Sequence, residues 1–461
     1  MVLQAGAHSR VGRGAGTAHV ARGIRPLRRR RVPLRRCSHP FSRYLVLLAL
    51  LAGLTAGCRA LPLEIPLPDF LARQEAAQEE PIQLRWGGGA TSPGERELIQ
   101  AQLARFQATE ERITVEARWT DNLAETLPGA QATGEAPDVF LATGNLLPQL
   151  VADQALVILP NDWIPAADLY PGLEGAWLQR GTTACLPRDL ATLALVYNRE
   201  RFDSAGLTYP DSSWGWQELY NAAAALTDAN NGLYGLVLAA DISRWLPFVY
   251  QAGGRLLSAD GQTLALHSPE ALTATEFFLS LFQEGLAVTP DQLDSTWNGE
   301  GFGRGRAAMT LEANWIVSYL AAEFPELRYG VAELPAGPAG RATLAFTTCY
   351  AVAASSPHRN EAVALADFLS QPGHLAEWAE HTLHLPGRRT LLPSWRAAHP
   401  DLDAFARGVD YGQLWQLPSP LQGLIPLANS DLQAAMDGDL TAQEFLDQLN
   451  ARGQRALGTG P

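Results

Sequence analysis

The sequence predicts an α/β protein built as two lobes. Three features lead there. Short apolar strands alternate with amphipathic helical stretches from Ile82 onward, and the alternation starts afresh with different residues near Leu193. The 461 residues also exceed a single domain at roughly 150 residues each. A hydrophobic content of 47% with 18% charged residues suits a large packed core.

The first strand runs from Ile82 through Gln83-Leu84-Arg85-Trp86 and is broken by Gly87-Gly88-Gly89. Pro93-Gly94-Glu95 then opens a helix to Gln107, with Leu98, Leu103 and Phe106 at near-helical spacing. Residues 113–119 alternate as a second strand, and another helical stretch leads to a third strand at 138–141. Strand, helix, strand, helix and strand in succession predict a parallel sheet with right-handed crossovers. In the second half, strands are predicted at 193–197, 233–238, 307–311, 330–332 and 347–353. Helices are predicted at 216–226, 272–282, 361–369, 373–380, 421–436 and 442–449, and no fixed-period repeat is visible.

The first 58 residues read differently. They hold eleven arginines and no acid, then an apolar run at 44–54 and the small residues Thr55-Ala56-Gly57 before Cys58. A basic region, a short apolar stretch and a small-residue cleavage site form an export signal. The run is shorter than the about 20 apolar residues that span a bilayer. Ala56-Gly57-Cys58 resembles the end of a bacterial lipoprotein signal, with Thr55 where Leu is usual. On that resemblance residues 1–57 are a signal peptide, and Cys58 carries the lipid that anchors the chain to the outer face of the cell membrane. Residues 58–81, with four prolines and five acids, form a tether.

Every basic residue is Arg. Without the first 58 residues, 24 arginines face 48 acids, a formal charge of −24. Such a surface excludes nucleic acid as a partner, since phosphates require Lys and Arg. Cys185 and Cys349 leave two readings open in an exported chain, a disulfide or two buried thiols. No Cys or His spacing suits a metal, and no nucleotide-binding or Ser-His-Asp motif stands in a fitting context, so neither metal nor cofactor is expected.

Several motifs stand in one order along residues 82–450. They include Gly134-Glu135-Ala136-Pro137-Asp138-Val139, Leu186-Pro187-Arg188-Asp189, Leu195-Val196-Tyr197-Asn198-Arg199 and Asn231-Gly232-Leu233-Tyr234-Gly235-Leu236. Phe302-Gly303-Arg304-Gly305-Arg306-Ala307-Ala308-Met309 and Glu312-Ala313-Asn314-Trp315 follow. Together they resemble family 1 of the bacterial extracellular solute-binding proteins, the maltose-binding-protein-like group. The resemblance implies a two-lobed type II periplasmic-binding fold, with lobe I at 82–187 plus 350–392 and lobe II at 188–349 plus 393–461. It implies a monomer that holds its ligand in the interlobe cleft, does no chemistry on it, and delivers it to the permease subunits of an ABC importer. The crossings fall near Pro187-Arg188 and residues 347–350, beside both cysteines, where a disulfide would restrain the hinge.

A sugar offers hydroxyls to planar polar groups and C–H faces to aromatic rings. Ligands of open α/β sheets meet the loops at the carboxyl ends of strands. Thr91 and Ser92 follow the first strand, as sugar ligands or as a helix cap, and the glycines before them admit close approach. Thr143 and Asn145 follow the third strand. Arg188 and Asp189 suit paired hydroxyls or an interlobe ion pair. Trp245 and Trp297, in loop-like sequence, are candidate stacking platforms. Trp315 lies where the family has a stacking aromatic, with Glu312 one helical turn before it and Asn314 beside it; Trp415 is a further candidate. Arg388-Arg389 reads as solvated surface. The Trp and Asn content favours a neutral sugar over glycerol phosphate or a polyamine. An exported glycosidase is the competing class, with Glu312 and Asp189 or Asp241 as its two carboxylates.

Overall fold

The computed structural model describes residues 80–458 apart from 91, 121 and 122, so the export signal, Cys58, most of the tether and Thr91 lie outside the described residues. An 11-stranded sheet carries the chain. Its strands are β1 (Ile82–Gly88), β2 (Ile113–Trp119), β3 (Val139–Thr143), β4 (Leu186–Asn198), β5 (Tyr234–Val237) and β6 (Ala287–Val288). They continue with β7 (Ala307–Ala313), β8 (Tyr329–Ala332), β9 (Thr343–Val352), β10 (Leu385–Pro386) and β11 (Gly412–Leu414). The path across the sheet is β2-β1-β3-β9-β4-β7-β5-β6, with β8 and β10 on β4 and β11 on β9.

Local pattern explains the first half. Ile82, Leu84 and Trp86 are buried while Gln83 is exposed, the period of a strand with one face on the core. Ser92 caps the helix Pro93–Thr109 by accepting from the Glu95 amide, and Ile99, Leu103 and Phe106 turn inward. β1 pairs in parallel with β2 and β3, as the strand–helix alternation predicts.

The sheet as a whole is mixed: the parallel pairing expected of the first three strands holds for them and does not extend to the strands that follow. β9 runs antiparallel to β3 and β4, and β4 antiparallel to β7. The reason is that β4 and β9 are crossings. All 13 residues of β4 are buried; Leu186 to Thr192 pair with β9, and Leu193 to Tyr197 pair with β7. Its side chains also divide: Leu190, Ala194 and Val196 join one hydrophobic core, and Ala191, Leu193, Leu195 and Tyr197 the other. The segment after β10 splits likewise, with Trp395 and Phe405 in the first core and Leu417, Leu432 and Phe445 in the second.

Cys185 and Cys349 are joined as a disulfide, their Cα atoms 5.8 Å apart. Both are buried beside the β4–β9 pairing, where a bulge falls between Thr348 and Cys349. The bond closes a loop with a sequence separation of 164. Replacing both cysteines by serine should therefore lower stability by about 2–5 kcal/mol. Denaturant midpoints of the parent and double variant, with m-values compared, check this; equal midpoints would refute it.

Candidate functional site

A cavity of about 450 Å³ lies where β4 and β9 cross, within the size range of small-molecule sites. One wall is aromatic. Trp315 opens the helix Trp315–Glu323 and meets Phe346 of β9 edge-on, centroids 5.3 Å apart at 75°. Phe346 in turn lies 6.3 Å from Trp415, which follows β11 and donates its amide to the Ala345 carbonyl.

A buried polar network holds Trp315 in place. Its indole Nε1 donates to Glu312 Oε2 at 2.8 Å. Glu312 Oε1 accepts from Arg244 Nη2 at 2.7 Å and from Asn298 Nδ2 at 2.9 Å. Arg244 Nη1 donates to Ser243 Oγ at 2.6 Å. Removing either charge would strand the other without water, so the group behaves as a unit.

The facing wall is polar. Thr143 ends β3 and Gly144 and Asn145 follow it, and Thr347 and Thr348 come from β9. A Cβ on Gly144 would sit 2.5 Å from Thr347 Oγ1, so only glycine allows the two strands this approach. Thr347 Oγ1 is buried with no hydrogen-bond partner among the described residues, a donor and acceptor left for whatever enters. Arg188 and Asp189 of β4 complete this side, with Nε of Arg188 3.1 Å from Asp189 Oδ2. The wall is clasped to the Trp415 segment by neutral amides. Gln416 Nε2 donates to the Gly144 and Gly175 carbonyls at 2.8 and 3.1 Å, and Asn145 Oδ1 accepts from the Leu417 amide at 3.2 Å.

His384 and Glu95 close the cavity. His384 is half-buried by surface, yet its Nδ1 is enclosed and without a partner among the described residues. Burial pushes the imidazole below its ordinary pKa; Asp189 opposes that shift and Arg188 adds to it.

Thr143, Asn145, Arg188, Asp189, Trp315 and Trp415 thus meet at one cavity. The structure does not bring the other candidates there. Ser92 is spent as a helix cap. Trp245 is fully buried in the helix Ile242–Gln251, its Nε1 on Thr275 Oγ1, because Pro247 sits inside a helix where sequence suggests a loop. Trp297 packs against Tyr319 at 4.7 Å. Glu312 ends β7 rather than sharing a helix with Trp315, and supports that ring from behind. Asn314 is fully buried and donates to the Leu383 carbonyl. Gly87 and Gly88 make room for Pro137 and Leu141, not for a ligand. Arg388 is buried, not solvated, and pairs with Asp168 at 3.1 Å. Sequence reasoning missed Glu95, Phe346, Thr347, Thr348 and His384; only the alternation along β9 carried any signal of them.

Two α/β lobes on crossing strands, with an aromatic wall facing a hydrogen-bonding one, define a ligand-binding protein of the type II periplasmic fold. The chain belongs to the bacterial extracellular solute-binding proteins, whose family model matches residues 90–375. A Brucella abortus protein named as a binding protein shares 31% identity over 214 residues, 45% of this chain and 51% of that one, so the chain spans about half that relative's length. An uncharacterised lipoprotein of Streptomyces antibioticus is 26% identical over 361 residues, 74% of each chain. Among solved structures, an ABC substrate-binding protein of Listeria monocytogenes, in complex with cycloalternan, superposes with a TM-score of 0.74 at 21% identity, covering 82% of this chain and 100% of that one. That likeness shows the fold.

His384 carries a pH signature. With its pKa lowered in the folded state, the unfolded chain binds the proton first, near the ordinary value of about 6.5. Stability therefore falls as pH drops from about 6.5 towards the lowered folded value. In His384→Gln the difference between denaturant midpoints at pH 7.5 and pH 5.5 should shrink; an unchanged difference would refute the assignment.

Proposed function

We propose that this chain is the solute-binding component of an ABC importer and takes a neutral mono- or oligosaccharide into the cavity without altering it. One observation carries the reading: Trp315, Phe346 and Trp415 form an apolar wall facing the donors and acceptors of Thr143, Arg188 and Thr347 across a single cavity. Pyranose rings have both faces, C–H surface for aromatic rings and hydroxyls for paired polar groups. The Listeria neighbour's oligosaccharide complex supports the same class. Residues 82–187 plus 350–392 and residues 188–349 plus 393–461 act as the lobes, hinged on β4 and β9. Closure is favoured because only the shut form lets both walls touch the solute.

The chain works as a monomer that hands its solute to membrane permease subunits. Residues 1–57 direct export, and lipid on Cys58 anchors the tether at 58–81. The Ala56-Gly57-Cys58 motif supports this, as does the relative named as a lipoprotein. The carboxylates a glycosidase would draw on are engaged elsewhere: Glu312 with Arg244, Asn298 and Trp315, and Asp241 with the Ser243 amide.

Calorimetry of the chain from residue 59 onward against glucose, maltose, maltotriose and larger neutral sugars tests the reading. One of them should bind, be recovered unchanged by chromatography, and shrink the radius of gyration in solution scattering. Trp315→Ala should weaken that sugar at least tenfold, about 1.4 kcal/mol. Hydrolysis of the sugar, or binding confined to phosphates or amines, would sink the proposal.

A further inference from the structure

Asp189 stands at the cavity with three of its acceptor places already taken by the protein. A carboxylate offers about four lone-pair sites. Oδ1 accepts from the amide and hydroxyl of Thr348 at 3.2 and 2.5 Å, and Oδ2 accepts from Trp378 Nε1 at 3.0 Å. Arg188 Nε lies 3.1 Å from Oδ2 as an ion pair without hydrogen-bond geometry, the two side chains only 8% and 6% exposed. The guanidinium carbon also lies over the Trp378 ring, 3.7 Å from its centroid. Arg188 lines the cavity, and no hydrogen bond among the described residues engages its Nη1 or Nη2.

A guanidinium so placed would by itself be a fork for phosphate or carboxylate. Asp189 changes that. We propose that Asp189 sets the charge selectivity of the cavity: it cancels the charge of Arg188 and fixes the fork against Trp378, so that the Nη donors serve hydroxyls and anionic solutes are refused. The inference deepens the sugar reading and rests on the same cavity. An anion brought to Arg188 is attracted by the guanidinium and repelled by a carboxylate whose Oδ2 lies 3.1 Å from that guanidinium's Nε, and the two effects oppose each other. Its lost hydration is then uncompensated, whereas a hydroxyl loses little on entry.

Asp189→Asn and Asp189→Ser, each checked for folding by circular dichroism, provide the test, with glucose 1-phosphate, sn-glycerol 3-phosphate and glucuronate as anionic probes. Serine leaves room beside Trp378 Nε1, where the asparagine amide would set donor against donor, and it decides the question if the asparagine variant does not fold. The parent should bind these anions with a Kd above 1 mM, about −4 kcal/mol or weaker. The variants should gain at least tenfold, the gain should fall as salt rises, and adding Arg188→Met should abolish it. The inference is overturned if the variants gain nothing over the parent, or if the gain survives loss of Arg188. A parent that ignores neutral sugars while the variants gain anions would remove the sugar reading and leave charge selection standing.

Discussion

Two strands must each serve two half-sheets, and the site exists because they do. Every buried backbone group needs a partner, so a strand that crosses between sheets has to change neighbours without leaving an unpaired stretch. β4 does so between Thr192 and Leu193, passing from β9 to β7. β9 does so on its other edge, from β11 at Thr343–Ala345 to β3 at Thr348–Val352, and its register against β4 shifts by a bulge at Thr348–Cys349. Where the pairings change, the side chains of Arg188, Asp189, Phe346, Thr347 and Thr348 meet in a space the sheet does not fill. The cavity is a by-product of satisfying the ladder, lined by residues whose backbone is already fixed.

Rigid backbone alone would leave the rings and the guanidinium free to turn. Each wall is therefore backed by a carboxylate that several donors hold in place. Glu312 holds Trp315 from behind through Nε1 while itself held by Arg244 and Asn298. Asp189 holds Arg188 while itself held by Thr348 and Trp378. Buried ion pairs contribute little net stability, because desolvation offsets attraction. What they contribute here is orientation: a ring and a fork each presented one way before any ligand arrives.

Much of the fold was legible in the sequence. Residues 113–119 and 216–226 match their observed elements to the residue, because an alternating strand and an amphipathic helix bury one face each. The helix predicted at 421–436 divides at Gly423 into Ser419–Gln422 and Ile425–Met436. The mixed sheet was not legible, since strand direction at a crossing depends on partners far away in the chain. The site was half legible. Trp315 and Arg188 stand at cues visible locally, whereas Thr347, Thr348 and His384 look like any polar residues near a strand. Trp245 misled because a proline two residues on resembles a loop, although the helix Ile242–Gln251 tolerates Pro247 inside it.

The clasp between the Gly144–Asn145 turn and the segment at 416–417 is made wholly of uncharged amide contacts, from Gln416 to the Gly144 and Gly175 carbonyls and from the Leu417 amide to Asn145. Dissolved ions weaken attractions between exposed charges but scarcely touch bonds between neutral dipoles. A member of an extracellular family works in surroundings whose salinity and acidity its cell does not regulate. With this fastening, the spacing of the cavity's rim stays the same in brackish and fresh surroundings alike.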